Sequence, residues 1–146
     1  MAHADASVSI NRSPAEVYQF LLDGANNRLW RPAVLEITRV PGTPDGVGAA
    51  YRQRMKGPGG RPIDGDYEIT EAVPYQTIAF LVTAGPARPN GKYSLMADGA
   101  GTRVTFTLDL VTTGLTRLMD PIIAATMRGE VANLANLKAY LEAHTA

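Results

Sequence analysis

RSPAEVYQFLLDGANNRLWRP, residues 12–32, predicts two short helices separated by a glycine. Ser13 is suited to be an N-cap, with a proline after it at the first helical position and Glu16 three residues on to complete a capping box. Gly24 ends this helix, and a second short helix is predicted from residue 25 to 30, because the residue before the next proline resists helical geometry. The only tryptophan of the chain thus closes a helical segment near the N-terminus.

Strand patterns lie on both sides of this helical segment. Small polar and β-branched residues alternate before it, and from residue 34 onward apolar residues recur with period two. Clusters of Gly, Pro, Asn and Asp separate the segments with no helical pattern between them, which is typical of an antiparallel meander. The predicted strands are 6–11, 34–40, 48–56, 63–72, 76–82, 91–97 and 102–110.

The charges of two adjacent strands predict which face of the sheet is solvated. A hairpin around GPGGRP (57–62) would place basic residues opposite acidic ones on the outer face. The predicted pairs are Lys56–Asp64, Arg54–Asp66 and Arg52–Glu68. Such exposed pairs contribute about 0–1 kcal/mol each, and they indicate a solvated ladder rather than a metal or acid–base site. The opposite parity predicts an inner face made of Tyr51, Gln53, Met55, Tyr67 and Ile69, and of Val104, Phe106, Leu108 and Leu110 on the last strand.

The C-terminal region predicts one long amphipathic helix from about residue 115 to 143. Its apolar stripe has helical spacing and consists of Leu115, Met119, Ile122, Ile123, Met127, Val131, Leu134, Leu137 and Leu141. Pro121 is either a first-turn residue or the site of a kink. At about 1.5 Å per residue this helix is about 40 Å long, so it can cross the whole sheet. A curved sheet with such a helix on its concave face leaves a pocket between the two.

This order of elements resembles the helix-grip fold of the START-like, or SRPBCC, superfamily, which includes birch-pollen-allergen-like proteins, lipid-transfer domains and aromatic polyketide cyclases. The stretch VSINRSPAEVYQFLLDGANNRLWRPAVLEITRV (8–40) resembles the start of the family, GTRVTFTLDL (101–110) its last strand and EVANLANLKAYLE (130–142) its closing helix. The resemblance implies one α+β domain over residues 1–146, with about seven curved antiparallel strands wrapped around a long C-terminal helix and two short helices after strand 1. The most similar branch is the bacterial polyketide cyclase/dehydrase type.

Composition excludes several classes of function. The 14 basic and 14 acidic residues balance, which argues against a nucleic-acid partner, and the absence of cysteine excludes disulfides and thiolate ligands. No stretch is long and apolar enough to cross a bilayer, and the N-terminus lacks signal-peptide features, so a cytoplasmic protein without integral membrane association is expected. His3 and His144 lie near the termini, so we expect neither a catalytic histidine nor a metal, and no motif predicts a cofactor.

The predicted ligand-binding residues are those expected around the cavity between sheet and helix. They are Trp30, Tyr51, Gln53, Met55, Tyr67, Ile69, Phe80, Tyr93, Phe106, Met119, Ile123 and Met127. Trp30 is expected either to form a wall of the cavity or to pack as a core aromatic. The inward tyrosines and Gln53 suit a ligand with a few oxygens on a hydrophobic body, or they bind one another or trapped water. Whether Glu71 or Arg128 faces the cavity is left open.

Three functions follow from this pattern. The first is binding of a small hydrophobic molecule such as a lipid, an isoprenoid or an aromatic polyketide. The second is a polyketide cyclase or dehydratase that positions a reactive chain in the same cavity, with Tyr or Gln polarising a carbonyl. The third is a protein-interaction module with a vestigial cavity. The exposed sheet edges also allow a homodimer, on which the sequence does not decide.

Overall fold

A computed structural model describes residues 2–112 and 114–144, without the side chains of Pro58, Leu115 and Thr116, so the predicted inward position of Leu115 lies outside the described part. The α-helices are α1 (Pro14–Leu22), α2 (Asp120–Val131) and α3 (Leu134–Ala143). Short 3₁₀ helices cover Gly24–Leu29, Pro58–Gly60 and Gly114–Met119. The strands are β1 (Ala2–Ile10), β2 (Val34–Arg39), β3 (Ala50–Lys56), β4 (Pro62–Asp64), β5 (Tyr67–Val73), β6 (Thr77–Val82), β7 (Asn90–Asp98) and β8 (Gly101–Leu110).

Both short helices after β1 have a side-chain N-cap, of which the sequence predicted the first. The Ser13 hydroxyl accepts a hydrogen bond from the Glu16 backbone N–H at 3.2 Å, which satisfies one of the free N–H groups at the start of α1. The Asp23 carboxylate accepts from the Ala25 N–H at 3.0 Å and begins the following 3₁₀ helix. The chain therefore changes direction at residues 23–25 with both helix starts satisfied.

The strands form one curled antiparallel sheet in the order β1-β8-β7-β6-β5-β3-β2, with the short β4 paired to β3. The predicted helix-grip α+β fold is thus confirmed. β1 starts earlier than the predicted residue 6, because it pairs with β8 from Ala2 opposite Leu110 to Ile10 opposite Thr102. This pairing supplies backbone hydrogen bonds to residues whose local sequence is a weak strand signal.

The predicted register of the β3 hairpin is wrong by two residues, although its parity is right. Arg54 lies opposite Asp64 and forms an ion pair with it at 3.2 Å, whereas Lys56 lies opposite Pro62. The turn is tighter than predicted because Gly59 and Gly60 have positive φ angles of 74° and 81°, which let the chain reverse between β3 and β4.

The remaining two predicted ion pairs of this hairpin are absent as well. Glu68 lies opposite Ala50, and the carboxylate of Asp66 accepts a hydrogen bond from the Gln53 backbone N–H at 3.0 Å. The predicted strand 63–72 is divided at this point, since residues 65 and 66 belong to neither β4 nor β5. None of the three predicted ion pairs forms, and Arg54 pairs with Asp64 instead.

The long C-terminal helix lies where it was predicted, but it is not uniform. It starts as the 3₁₀ helix Gly114–Met119, and Pro121 lies in the first turn of α2, where its missing N–H costs no hydrogen bond. Between α2 and α3 the residues Ala132 and Asn133 keep helical angles, and the Asn133 N–H donates to the Glu130 carbonyl, three residues back. This tightened turn joins α2 to α3 within an otherwise continuous helical segment.

The concave face of the sheet and the C-terminal helices form one hydrophobic core. The predicted inner parity holds on β3, β5 and β8, where Tyr51, Gln53, Tyr67, Ile69, Val104, Phe106 and Leu108 are buried. Helical residues close the other side of this core, namely Met127, Val131, Leu134, Leu137 and Leu141. Met119 and Ile122, earlier in the same stripe, stay about half exposed because the helix leaves the sheet at that end.

Candidate functional site

A cavity of about 340 Å³ lies between the N-terminal half of the closing helix and the open end of the sheet. This volume is within the range of about 300–1,000 Å³ that is typical of small-molecule sites. The sheet and the loop after β6 contribute Gln53, Met55, Ile63, Phe80, Val82, Pro86, Ala87, Pro89, Leu108 and Leu110. The helical side contributes Met119, Ile122, Ile123, Thr126, Met127 and Glu130. The walls are thus mostly apolar, with a few polar groups.

One end of the cavity is closed by a largely buried ion pair between Arg31 and Glu130. Both Nε and Nη2 of Arg31 donate to Oε2 of Glu130, at 3.1 and 2.7 Å. The side chains are only 7% and 14% exposed, so water screens this pair weakly. Burial alone would lower the pKa of Arg31, but the charge of Glu130 and the hydrogen bonds raise it above its ordinary value. The guanidinium is therefore a permanent cation at neutral pH.

Arg31 is held in place by the end of the short 3₁₀ helix before it. The backbone N–H of Arg31 donates to the Asn27 carbonyl at 2.9 Å, and the Asn136 amide donates to the Trp30 carbonyl at 3.2 Å. The guanidinium carbon lies 5.9 Å from the centre of the Trp30 ring, within the range of a cation–π contact. The segment between the first short helices and β2 thus delivers a charged side chain to the cavity.

A cluster of hydrogen-bonded polar side chains lies next to this end of the cavity, with Asn27 at its centre. Its amide Nδ2 donates to the Gln53 Oε1 at 3.2 Å and to the Tyr67 hydroxyl at 3.1 Å, and Gln53 in turn donates to the Gly65 carbonyl at 3.3 Å. Burial raises the pKa of Tyr67 well above its ordinary value, so this phenol stays protonated at neutral pH. The network orients the Gln53 amide, which also lines the cavity.

Behind the ion pair lies a small void of about 10 Å³, roughly what one water molecule needs. It is lined by Leu21, Asn27, Arg31, Tyr67, Ile69, Ile78, Phe80 and Tyr93. Burial raises the pKa of Tyr93 to about 12, although the nearby Arg31 lowers it in part. Tyr93 is thus a neutral hydrogen-bonding group at this position and not a base at neutral pH.

The predicted ligand-binding residues are distributed over three places. Gln53, Met55, Phe80, Met119, Ile123 and Met127 line the main cavity. Tyr67, Ile69 and Tyr93 line the small void behind it, together with Phe80. Trp30, Tyr51 and Phe106 line neither space and belong to the buried core. That any of these residues contacts a ligand stays a prediction.

Trp30 is a core aromatic in this structure. Its ring centre lies 6.1 Å from that of Tyr93 and 6.2 Å from that of Phe106, in edge-to-face arrangements. Tyr51 stacks on Tyr67 at 5.1 Å and so supports the tyrosine that lines the void. Trp30 and Phe106 therefore support the segment that carries Arg31, whereas Tyr51 supports Tyr67.

Sequence reasoning missed Arg31, Asn27 and Glu130. Glu130 is three residues after Met127 on the inward stripe, so helical spacing alone could have placed it on the cavity side. Arg31 had no comparable signal, because residues 30–33 follow neither helical nor strand periodicity. Glu71 and Arg128, the two residues left open, are both exposed and line neither space.

Other kinds of site find little support in the described part of the chain. No group of three or more His, Asp or Glu side chains among the described residues could hold a metal ion. His3 is exposed on β1, where Asp109 and Asp5 accept its hydrogen bonds and raise its pKa. Of the helices in residues 2–112 and 114–144, none is long and apolar enough to span a bilayer.

The comparisons with known proteins agree with this geometry. A family model described as polyketide cyclase / dehydrase and lipid transport matches residues 1–142. No curated relative matches the chain at a significant level. Among solved structures, a START superfamily protein from Mycobacterium smegmatis has a TM-score of 0.81 at 15% identity, with 99% of this chain and 100% of that chain covered.

Two further solved structures have the same fold. TTHA0849 from Thermus thermophilus has a TM-score of 0.77 at 20% identity, with 94% of each chain covered. The di-domain ARO/CYC StfQ from the steffimycin biosynthetic pathway has a TM-score of 0.76 at 13% identity, with 97% of this chain and 50% of that one covered. At these identities the similarity establishes the fold alone.

Proposed function

The chain belongs to the polyketide cyclase / dehydrase and lipid transport family, and from this premise we propose that it binds a small hydrophobic molecule in the cavity between its sheet and α2. The observation that carries the proposal is the cavity of about 340 Å³ with mostly apolar walls and one polar end. Water in such a space gains few hydrogen bonds from the walls, so an apolar guest that displaces it gains free energy. The volume also exceeds the about 300 Å³ below which a vestigial cavity would be the better explanation.

The direct test is binding of an apolar fluorescent probe, followed by its displacement and by thermal stabilisation with a panel of lipids, isoprenoids and aromatic compounds. A ligand present at about 100 times its Kd should stabilise the fold by about 2.7 kcal/mol. If no compound of the panel raises the melting temperature and no probe binds, the proposal is wrong.

A matched pair of substitutions locates the binding to this cavity. Met127 is buried on α2 and lines the cavity, whereas Met96 is 70% exposed on β7 and lines neither space. Met127→Trp should fill part of the cavity and weaken probe binding at least tenfold. Met96→Trp should leave binding unchanged, because its larger side chain extends into solvent. Equal binding in both variants would mean that the probe binds elsewhere.

A second candidate is a cyclase or dehydratase acting in the same cavity. The observation in its favour is that the cavity end carries preoriented donors, the Arg31 guanidinium and the Gln53 amide, of the kind that stabilises a developing enolate oxygen. Tyr67 and Tyr93 stay protonated at neutral pH, so neither would act as the base. With a polyketide-like substrate, Gln53→Leu should then lower kcat by about 10²–10³ without loss of the fold. Unchanged turnover would exclude this mechanism.

A further inference from the structure

The charges at the polar end of the cavity restrict which class of small molecule can bind there. Among the described residues that line the cavity, Arg31 and Glu130 are the charged ones with little exposure, and they bind each other. The remaining charged lining residues, Lys56 and Asp64, are exposed to solvent, and Asp64 is paired with Arg54. The enclosed end thus has no net charge, although it contains a cation.

Hydrogen-bond donors are nevertheless available at this end. A guanidinium carries five N–H groups. The hydrogen bonds of Arg31 to Glu130 use one from Nε and one from Nη2, and a further one goes to the Tyr93 hydroxyl, which leaves two. The Gln53 amide donates only long bonds, at 3.3 Å to the Gly65 carbonyl and 3.4 Å to the Met55 sulfur. A guest oxygen that accepts hydrogen bonds therefore finds donors there without any need to displace Glu130.

An anionic guest meets a different environment. A carboxylate placed against Arg31 would also lie beside the carboxylate of Glu130, since one Glu130 oxygen accepts from two nitrogens of the same guanidinium. Like charges at short distance in a weakly screened site repel strongly, and the guest would lose its hydration as well. Glu130 already balances the positive charge of Arg31. Attraction to Arg31 therefore offsets neither the repulsion by Glu130 nor the lost hydration of the anionic guest.

We propose that the cavity selects a neutral guest, with an apolar body and a hydrogen-bond-accepting oxygen at Arg31, and that Glu130 excludes carboxylates. Alcohols, aldehydes, ketones and esters belong to the accepted class, and free fatty acids do not. This inference rests on the proposed function, because it concerns the head group of a guest that the cavity is already proposed to bind.

The test compares guests that share one chain and differ in the head group. Displacement of a bound apolar probe is measured with decanol, methyl decanoate and decanoate at about pH 8, where a carboxyl group is ionised. The wild-type protein should bind decanol and methyl decanoate at least tenfold more tightly than decanoate. Equal or tighter binding of decanoate would overturn the inference, and so would the failure of the neutral guests to displace a probe that does bind.

Glu130→Gln provides the second arm of the test. This variant leaves the charge of Arg31 unbalanced, so decanoate should gain at least tenfold in affinity while decanol changes little. Glu71→Gln is the matched control, because Glu71 is exposed and lines neither space, and it should keep the wild-type preference. Unchanged exclusion of decanoate by a folded Glu130→Gln protein would refute the role of Glu130.

The two proposals fail in distinguishable ways. Absence of binding by probes and by every guest removes the proposed function itself. Binding without head-group preference removes only the neutral-guest inference. The wild-type comparison needs no substitution, so it decides the inference even if Glu130→Gln does not fold.

Discussion

Disruption of the Arg31–Glu130 pair should destabilise the protein far more when one partner is removed than when both are. The two side chains are 7% and 14% exposed, and they are joined by hydrogen bonds of 3.1 and 2.7 Å. Removal of one partner from such a pair leaves a buried charge without compensation and costs about 3–5 kcal/mol. For a chain of this length, that corresponds to a fall in Tm of roughly 10–15 °C.

The double substitution removes both charges together with their desolvation cost. Arg31→Met and Glu130→Met should each cost about 3 kcal/mol, whereas the double variant should cost at most about 2 kcal/mol, because apolar replacements of buried pairs are often neutral. The expected interaction free energy is therefore about 4 kcal/mol or more. Urea unfolding at neutral pH measures it, with the fluorescence of Trp30, which contacts Arg31, as the probe.

An exposed ion pair serves as the control for this cycle. Arg54 and Asp64 are about half exposed and 3.2 Å apart, so Arg54→Met should change the free energy of unfolding by less than about 1 kcal/mol. If the effects of Arg31→Met and Glu130→Met add to within about 0.5 kcal/mol, the two residues do not interact energetically. That result would refute both the strength of the pair and the charge balance derived from it.

Two other predictions concern glycine sites and alkaline pH. A Cβ at Gly24 would clash with the Tyr67 hydroxyl oxygen and lie 2.9 Å from the Tyr51 ring, so Gly24→Ala should destabilise the fold by about 1–3 kcal/mol. A Cβ at Gly129 on α2 meets nothing within 4 Å, so Gly129→Ala should stabilise the fold by up to about 1 kcal/mol. Thermal unfolding that ranks the two variants in the opposite order would contradict this packing. The folded-state pKa of Tyr93 is raised from 10.0 to about 12, so its contribution to stability is full below pH 10 and is lost as pH rises toward 12. Urea midpoints measured across this window should fall less steeply in Tyr93→Phe, and identical slopes would show that Tyr93 does not contribute.

The cavity wall could be predicted in part because strand and helix periodicity depend only on local geometry. Alternation along β3 and β5 placed Tyr51, Gln53 and Tyr67 on the buried face, and helical spacing placed Met127 there. A register error of two residues leaves each side chain on the same face of the sheet. The residues predicted to face inward were therefore right, although the predicted pairing of Arg54 with Asp66 was wrong. Periodicity does not show where a helix leaves the sheet, which is why the boundary between core and cavity was not predicted.

The polar end of the cavity depends on contacts between distant parts of the chain. Arg31 and Glu130 are 99 positions apart, and no local pattern links a residue after a 3₁₀ helix to one near the end of α2. Likewise, Asn27 reaches Gln53 and Tyr67 only because the short helices fold over the open end of the sheet. The polar residues of the site therefore cannot be identified from local periodicity.

By itself, the sequence determined the order of helices and strands, the Ser13 cap of the first helix and the faces that these elements bury, because backbone preference and side-chain alternation act over a few residues. Only the tertiary structure decided that the interior keeps an open space and that a balanced ion pair closes one end of it. Both outcomes depend on how closely α2 approaches the sheet, and that distance results from the packing of side chains that lie far apart in the chain.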